Sequence, residues 1–472
     1  MSDGGTFTNT NSPNVQRPGA YVNFVSVSRP FVFAGGRGVS CGLVELPWYL
    51  PNQIVKVSGM DFLSGRALRD IGLTAFDGEA AKHVSLLLSG CFETRLVSAN
   101  VGGEKAMVSI PITGGTLEIE AAKFGTFGND LLVSCQEVSN GRWLFSAHII
   151  GHESDHKPRM NQTVESVREL RGNDFITINV IPDDPNVEPA FIEFAGEVLT
   201  GGSNGNVNLA TRIPAFLRKI KSDTSWQCMG WQWSEESHKL LVQQFIQRMR
   251  DSGRYVQVSM AAAQANHEGI NNVHIGHGNA INPITGEIFT IDEIALMHAS
   301  MTAGADIVTS NTNTPLLVQL EFDHEFDNAE ITEGLQQGRV MFTRRNSGII
   351  KIEQDINSLH TFTPEKNREF RKNNILRKLD EIGFFTESIW ENFYMGNAIN
   401  DEIDREAYRV QINEKLERMQ RMRALQNHHI SRISIMQGDE PDIVEATLDI
   451  HPTDAMERIF KIVRVHTQAP AV

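Results

Sequence analysis

The sequence predicts a multidomain α+β protein with an extended arm at each end, and three observations carry that reading. The chain has 472 residues, more than one ordinary core encloses, so two to four domains are expected. Residues 94–183 hold six short β-branched runs separated by turn residues, the spacing of a β-sandwich domain. Over 184–350 strand and helix patterns alternate, as in an α/β domain, and from 351 a charged helical pattern takes over.

Residues 1–30 form a polar arm around one β-prone run, GAYVNFVSV, from Gly19 to Val27. A lone strand cannot satisfy its own backbone groups and must find a sheet edge. Residues 31–93 read as a small α/β segment packing with the C-terminal half, with a helix near Gly78–Leu88. In 94–183 the strand runs are ETRLVSANV, KAMVSIPI, TLEIEAAKFG, DLLVSCQEV, RWLFSAHII and DFITINVI. In 184–350, Leu240, Leu241, Phe245, Ile246 and Met249 recur at helical spacing before the strand RYVQVSMAA. A second helix, IDEIALMHASMTAGA, starts at an acidic cap and ends at Gly304. Residues 351–452 are helical and charged, and 453–472 close with a second β-prone arm, DAMERIFKIVRV.

Composition narrows the function classes. With 40% hydrophobic and 21% charged residues, 38 Gly and 17 Pro, the chain is globular, neither disordered nor collagen-like. A net charge of −15 argues against wholesale nucleic-acid binding, which needs a basic face. No apolar run approaches the ~20 residues that span a bilayer, and Ser2 to Asn14 lack the charged and apolar regions of a signal peptide. Cys41, Cys91, Cys135 and Cys228 show no metal-binding spacing and read as reduced, buried thiols.

The sharpest enzymatic pattern is GVSCG, where Gly38, Ser40 and Gly42 match G-x-S-x-G. That motif needs a strand before and a helix after the serine. Here LVELPWYLP follows, so a glycine-rich connection is expected, and a serine hydrolase using Ser40 is the alternative function. NVHIGHGN sets His274 and His277 three apart, with His267 and Glu268 upstream, but two glycines mark a loop rather than a ligand-bearing helix. TGGSNGN at Thr200–Asn206 lacks the lysine of a phosphate loop and reads as a domain-boundary turn. Asp183 and Asp184 lie between prolines in an exposed loop, and His428 and His429 read as solvated helix residues. No catalytic residue, metal or cofactor follows. The basic helix around Arg368, Arg371, Lys372, Arg377 and Lys378 fits either a solvated amphipathic face or a surface for an acidic partner.

The stretches RPGAYVNF, INSLHTFTPEKNREFRKNNILRKLDEI, WENFYMGNAINDEIDREAYRVQINEKLERMQ and DAMERIFKIVRV, in this order, resemble contractile tail sheath proteins of phages and phage-tail-like bacteriocins. The resemblance implies a β-sandwich insertion, an α/β domain of subtilisin-like but non-catalytic fold, and a mixed helical C-terminal domain facing the tail tube. It implies that both arms add strands to sheets of neighbouring subunits. Tyr21, Val22, Asn23, Phe24, Val25 and Val27 then form the N-terminal strand, and Met456, Ile459, Phe460, Ile462, Val463 and Val465 the C-terminal one. Arg368, Arg371, Lys372 and Lys378 become candidates for facing the tube. Other copies of the chain in hexameric rings, the tail tube, baseplate and tail-terminator proteins are the implied partners, with no direct nucleic-acid contact and no stable membrane insertion. The implied location is a virion tail or bacteriocin particle, assembled in the host bacterial cytoplasm.

Overall fold

Strand β1 (Val39–Val44) is buried along its whole length. It is an interior strand of a seven-stranded sheet, where both faces are covered and an apolar run replaces alternation. Strand β3 (Glu93–Ser98) pairs with it in parallel, and β2 (Val55–Ser58) adds antiparallel at the edge. The computed structural model describes residues 37–464 apart from 75–77, 140, 152–159, 277 and 345–347. The N-terminal strand residues Tyr21, Val22, Asn23, Phe24, Val25 and Val27, and Val465 of the other arm, lie outside the described residues.

Between β2 and β3 runs helix α1 (Glu79–Leu88). After β3 the chain leaves the sheet for an antiparallel region. A three-stranded sheet joins β4 (Met107–Ile112), β5 (Gly115–Ala121) and β9 (Ile176–Pro182), with β5 central. A four-stranded sheet joins β6 (Leu131–Ser139), β7 (Arg142–Ile149), β8 (Met160–Val164) and β10 (Phe194–Val198). Leu117, Ile119, Val133, Phe145 and Ile176 from the two sheets share one apolar cluster. The chain returns through Thr200–Asn206, bonded to residues 104 and 107 through backbone amides. Two expected boundaries shift. The run ETRLVSANV is a strand of the central sheet, not of the antiparallel region, and Phe194–Val198 pairs with β6 beyond residue 183.

Helix α2 (Leu209–Lys221), β11 (Cys228–Trp231), α3 (Glu236–Asp251), β12 (Gln257–Ala261), β13 (Ile270–Val273), α4 (Ile291–Gly304) and β14 (Arg339–Val340) complete the α/β part. The strand order is β14-β13-β12-β11-β1-β3-β2. Helices α2 and α3 bury Phe216, Ile220, Phe245 and Ile246 against Cys41 and Leu43 on one face. Helices α1 and α4 cluster with Val44 and Leu96 on the other. Leu240 and Leu241, expected on the buried face of α3, are 53% and 45% exposed; Val242, Phe245, Ile246 and Met249 turn inward instead. Helix α4 starts at Thr290, whose hydroxyl and Glu293 form a capping box, so its cap is a threonine rather than an acid.

Ser40 lies inside β1, not in a glycine-rich connection. Its hydroxyl is fully buried and donates to the Leu87 carbonyl at 2.7 Å and to Thr94 Oγ1 at 2.9 Å. Gly42 is explained by packing: a Cβ there would stand 2.6 Å from Leu87 Cδ1, so glycine lets α1 approach the sheet.

The C-terminal part consists of α5 (Asn373–Ile389), a π-helical turn Trp390–Tyr394, α6 (Glu402–Arg421) and a hairpin of β15 (Ile433–Gln437) and β16 (Val444–Leu448). Phe385, Ile389, Tyr408, Ile412, Leu416 and Ile433 form its core. Asp401 caps α6 by accepting from the Asp404 amide.

Candidate functional site: the C-terminal arm and its anchorage

The first turns of α5 meet the central sheet across a buried polar seam. Asn373 Nδ2 donates to Asn271 Oδ1 at 3.0 Å and to Asp355 Oδ1 at 3.1 Å, while Gln257 Nε2 donates to Asn373 Oδ1 at 2.9 Å. One turn on, Arg377 Nη2 donates to Asp355 Oδ2 at 2.8 Å and to the Thr309 carbonyl at 2.6 Å. Both charged side chains of that pair are 0% exposed. Burial alone would push the Asp355 carboxyl up. The Arg377 charge and the bonds from Asn311 and Asn373 outweigh it and hold the group below its ordinary value. A further turn along, Asp380 accepts two bonds from Arg250, at 2.6 and 3.2 Å. Glu268 accepts from Lys366 at 2.6 Å and lies 3.8 Å from Arg250, so it serves this seam.

The arm leaves from the outer side of the same helix start. Lys378 Nζ donates to Asn374 Oδ1 and, at 2.7 Å, to the Thr453 carbonyl. Lys372 pairs with Asp454 and, at 2.9 Å, with Glu457. Glu457 also accepts from Thr312 Oγ1 at 3.0 Å and from Gln354 Nε2 at 2.6 Å. Past that anchor the character of the chain changes. Ile459, Phe460, Ile462 and Val463 are 88%, 93%, 85% and 65% exposed, Met456 just before Glu457 is fully exposed, and residues 456–464 form no strand.

Of the four basic residues singled out from sequence, only Arg368 is a plainly exposed charge. Arg371 is buried, and that burial, with Arg368 nearby, pushes its pKa down to about 10. Lys378 is 1% exposed, and burial followed by the Arg377 charge brings it down to about 8. Lys372 is committed to the arm anchor. Lys372 and Lys378 reach inward to carboxylates, an amide oxygen and a carbonyl, a circumstance that charge and periodicity do not announce, whereas Arg371 Nε and Nη2 are buried without a hydrogen-bond partner among the described residues. Asp355, Asn373 and Glu457 escaped sequence reasoning for the same reason, although the paired Asn373–Asn374 at a helix start was a visible signal.

The other motifs resolve as structure. Asp183 and Asp184 lie in the turn after β9. His274 packs against Phe326 with the rings tilted and 5.6 Å apart, and His277 lies outside the described residues. His428 and His429 follow α6 in a loop rather than sitting on a helix: His428 Nε2 bonds Asn413 Oδ1 at 3.0 Å, and His429 caps a short 3-10 turn. Among the described residues no group of three or more His, Cys, Asp or Glu side chains is placed to hold a metal ion, and no helix is long and apolar enough to cross a membrane.

Comparison with known proteins agrees with this architecture. Residues 213–358 match the phage tail sheath protein central domain, and residues 365–466 match the phage tail sheath C-terminal domain. Two Bacillus subtilis (strain 168) proteins, the uncharacterized protein YqbK and the phage-like element PBSX protein XkdK, are each 28% identical, with 80% of this chain and 80% of the relative covered. The sheath tail protein of Desulfitobacterium hafniense superposes with a TM-score of 0.73 at 24% identity, over 93% of this chain and 97% of that one. The Listeria innocua sheath tail protein gives 0.77 at 21% identity, over 90% and 94%. With two sheath domains matched in order across just over half of its length, on a fold that solved sheath proteins share, the chain belongs to the phage tail sheath family, the sheath proteins of contractile tails.

Proposed function

We propose that the chain is the repeating subunit of a contractile sleeve, with six copies in a ring around a tail tube and rings stacked along it. The arms of each subunit add strands to sheets of its neighbours. One observation carries this reading: the C-terminal arm is pinned at Glu457 and then exposes Ile459, Phe460, Ile462 and Val463 with no strand partner in its own chain among the described residues. Unpaired backbone and bare apolar side chains together favour β-augmentation, in which backbone bonds give affinity and alternating side chains give register. The hairpin of β15 and β16 offers matching acceptors, since it is two-stranded and both outer edges are open among the described residues. A two-stranded hairpin is marginal alone and gains from added strands.

Such head-to-tail contacts propagate instead of closing. The extended sleeve is then a long-lived, higher-energy arrangement, and triggering at the baseplate lets rigid subunits rotate and repack while the arms keep the mesh continuous. The shortening sleeve drives the tube through the target envelope. Tail tube, baseplate and tail-terminator proteins are the partners of this reading, a phage virion or bacteriocin particle its location, and Arg368 the remaining candidate for a tube-facing charge. No cofactor or catalytic step enters, because the free energy is stored at assembly. The test is electron microscopy of the purified chain beside two truncations, lacking residues 1–28 or 458–472. Tubes or ring stacks from the full chain, and folded but unassembled truncations, are expected. Normal tubes from both truncations would refute the strand exchange.

A further inference from the structure

We infer that an aromatic pocket beside the C-terminal hairpin seats Phe460 of a second copy, whose basic arm lies along an acidic hairpin. The inference rests on the strand-exchange reading and adds to it the chemistry of the receptor. The pocket, about 330 Å³, opens between the π-helical turn, the start of α6 and the start of β16. Trp390, Tyr394, Tyr408, Ile399 and Val444 are among its walls. The Trp390 and Tyr394 rings stack 6.3 Å apart, and Tyr394 meets Tyr408 at 4.9 Å. Such a surface favours one more ring in edge or offset contact.

Charge identifies the occupant. From Gln437 to Asp449 the chain carries Asp439, Glu440, Asp442, Glu445 and Asp449 and no Lys or Arg. Asp449 pairs with Arg432, while the other four are exposed and make no ion pair among the described residues. The arm has the opposite pattern: from Arg458 to Arg464 it holds Arg458, Lys461 and Arg464 and no acid, and these too are exposed and unpaired among the described residues. Exposed pairs add little affinity singly, but facing rows of opposite sign select partner and register. A strand added along the open edge of β16 runs beside Val444, which lines the pocket, and puts Phe460 and Ile462 on one face. Phe460 is the arm's aromatic residue, and in its own chain it stands 93% exposed, so the pocket is left for another copy.

The experiment uses the full chain with Ala398→Cys and Phe460→Cys, Ala398 being an exposed residue of the pocket wall. Oxidation of assembled protein is expected to give a thiol-reversible ladder of linked subunits with the double variant, and dimers with a mixture of the two single variants. In parallel, Phe460→Ser and the pocket-filling Ala398→Trp should each slow tube formation at least tenfold. Glu445→Lys should do the same and be rescued by Lys461→Glu. No ladder and wild-type assembly of both pocket variants, with the 458–472 truncation still inactive, would overturn the pocket while sparing strand exchange. Unchanged assembly of that truncation would overturn both.

Discussion

Replacing Asp355 with alanine removes the carboxylate that holds the start of α5 to the sheet. It deletes the 2.8 Å bond from Arg377, the 2.9 Å bond from the Asn311 amide and the 3.1 Å bond from Asn373. Arg377 stays 0% exposed with its positive charge uncompensated, although Thr309 still accepts from it. Breaking a buried pair from one side costs about 3–5 kcal/mol, most of it the unpaired charge. Since each 1.4 kcal/mol is a factor of ten, amide exchange across Asn373–Ile389 should accelerate by about two to four orders of magnitude. Native-state hydrogen exchange on unassembled full chain reads this directly, with α2 amides as an internal reference. The double variant Asp355→Leu with Arg377→Met buries no charge and should recover most of the loss. If the single variant costs under about 1 kcal/mol, or the double is as loose as the single, the seam is not held by this ion pair.

Three other outcomes follow from particular contacts. His298 on α4 is fully buried, and burial pushes it down to about 4 against an ordinary 6.5. The unfolded chain therefore binds its proton first, so this contribution to stability is complete above pH 6.5 and fades as pH falls toward 4; unfolding midpoints measured across that window should lose this slope in His298→Gln. At Gly304 a Cβ would stand 1.8 Å from the Gly90 carbonyl oxygen, so Gly304→Ala must separate α4 from the chain after α1 and should cost about 1–3 kcal/mol in urea titrations. Ser40→Ala should cost about 1 kcal/mol and leave tube formation intact, and the wild-type chain should resist serine-reactive probes because that hydroxyl is sealed inside β1.

The strands of the antiparallel region were legible because short β-branched runs bounded by turn residues suit strands and not helices. Their partners were not. Glu93–Ser98 carries the same β-branched signature as Met107–Ile112, yet the first is buried on both faces between parallel β1 and antiparallel β2 and the second is half exposed. GVSCG shows the same limit, since Gly42 answers to Leu87 of a helix well downstream. On α3 the helix was visible but its rotation was not: Lys239 and Gln243 share the inward face with Val242 and Ile246, while Leu240 and Leu241 look out. The family was legible in the order of four long stretches. The anchor was hidden because Thr312, Gln354, Lys372 and Glu457 are scattered over nearly 150 residues and meet only in the fold.

Two of the ion-pair groups at the start of α5 differ in burial, and that difference matches the work each has under the proposed function. Asp355 and Arg377 are sealed, so separating them exposes two desolvated charges at once, and sheet and helix are bound to move as one body. Lys372, Asp454 and Glu457 are 24%, 35% and 12% exposed at the side chain, where water can replace a lost partner and each bond is worth far less. A subunit that rotates during contraction while its arm stays in a neighbour's sheet needs this ordering. Strain along the arm is then relieved first at this partly exposed anchor, letting residues 454–457 swing, before it reaches the buried Lys378–Thr453 bond and the sealed seam. An apolar anchor would invert the order, because peeling buried side chains from a core costs more per residue than exchanging a wet ion pair for water. The polar character of the anchor is thus what a tether needs if it must hold at rest and yield under load.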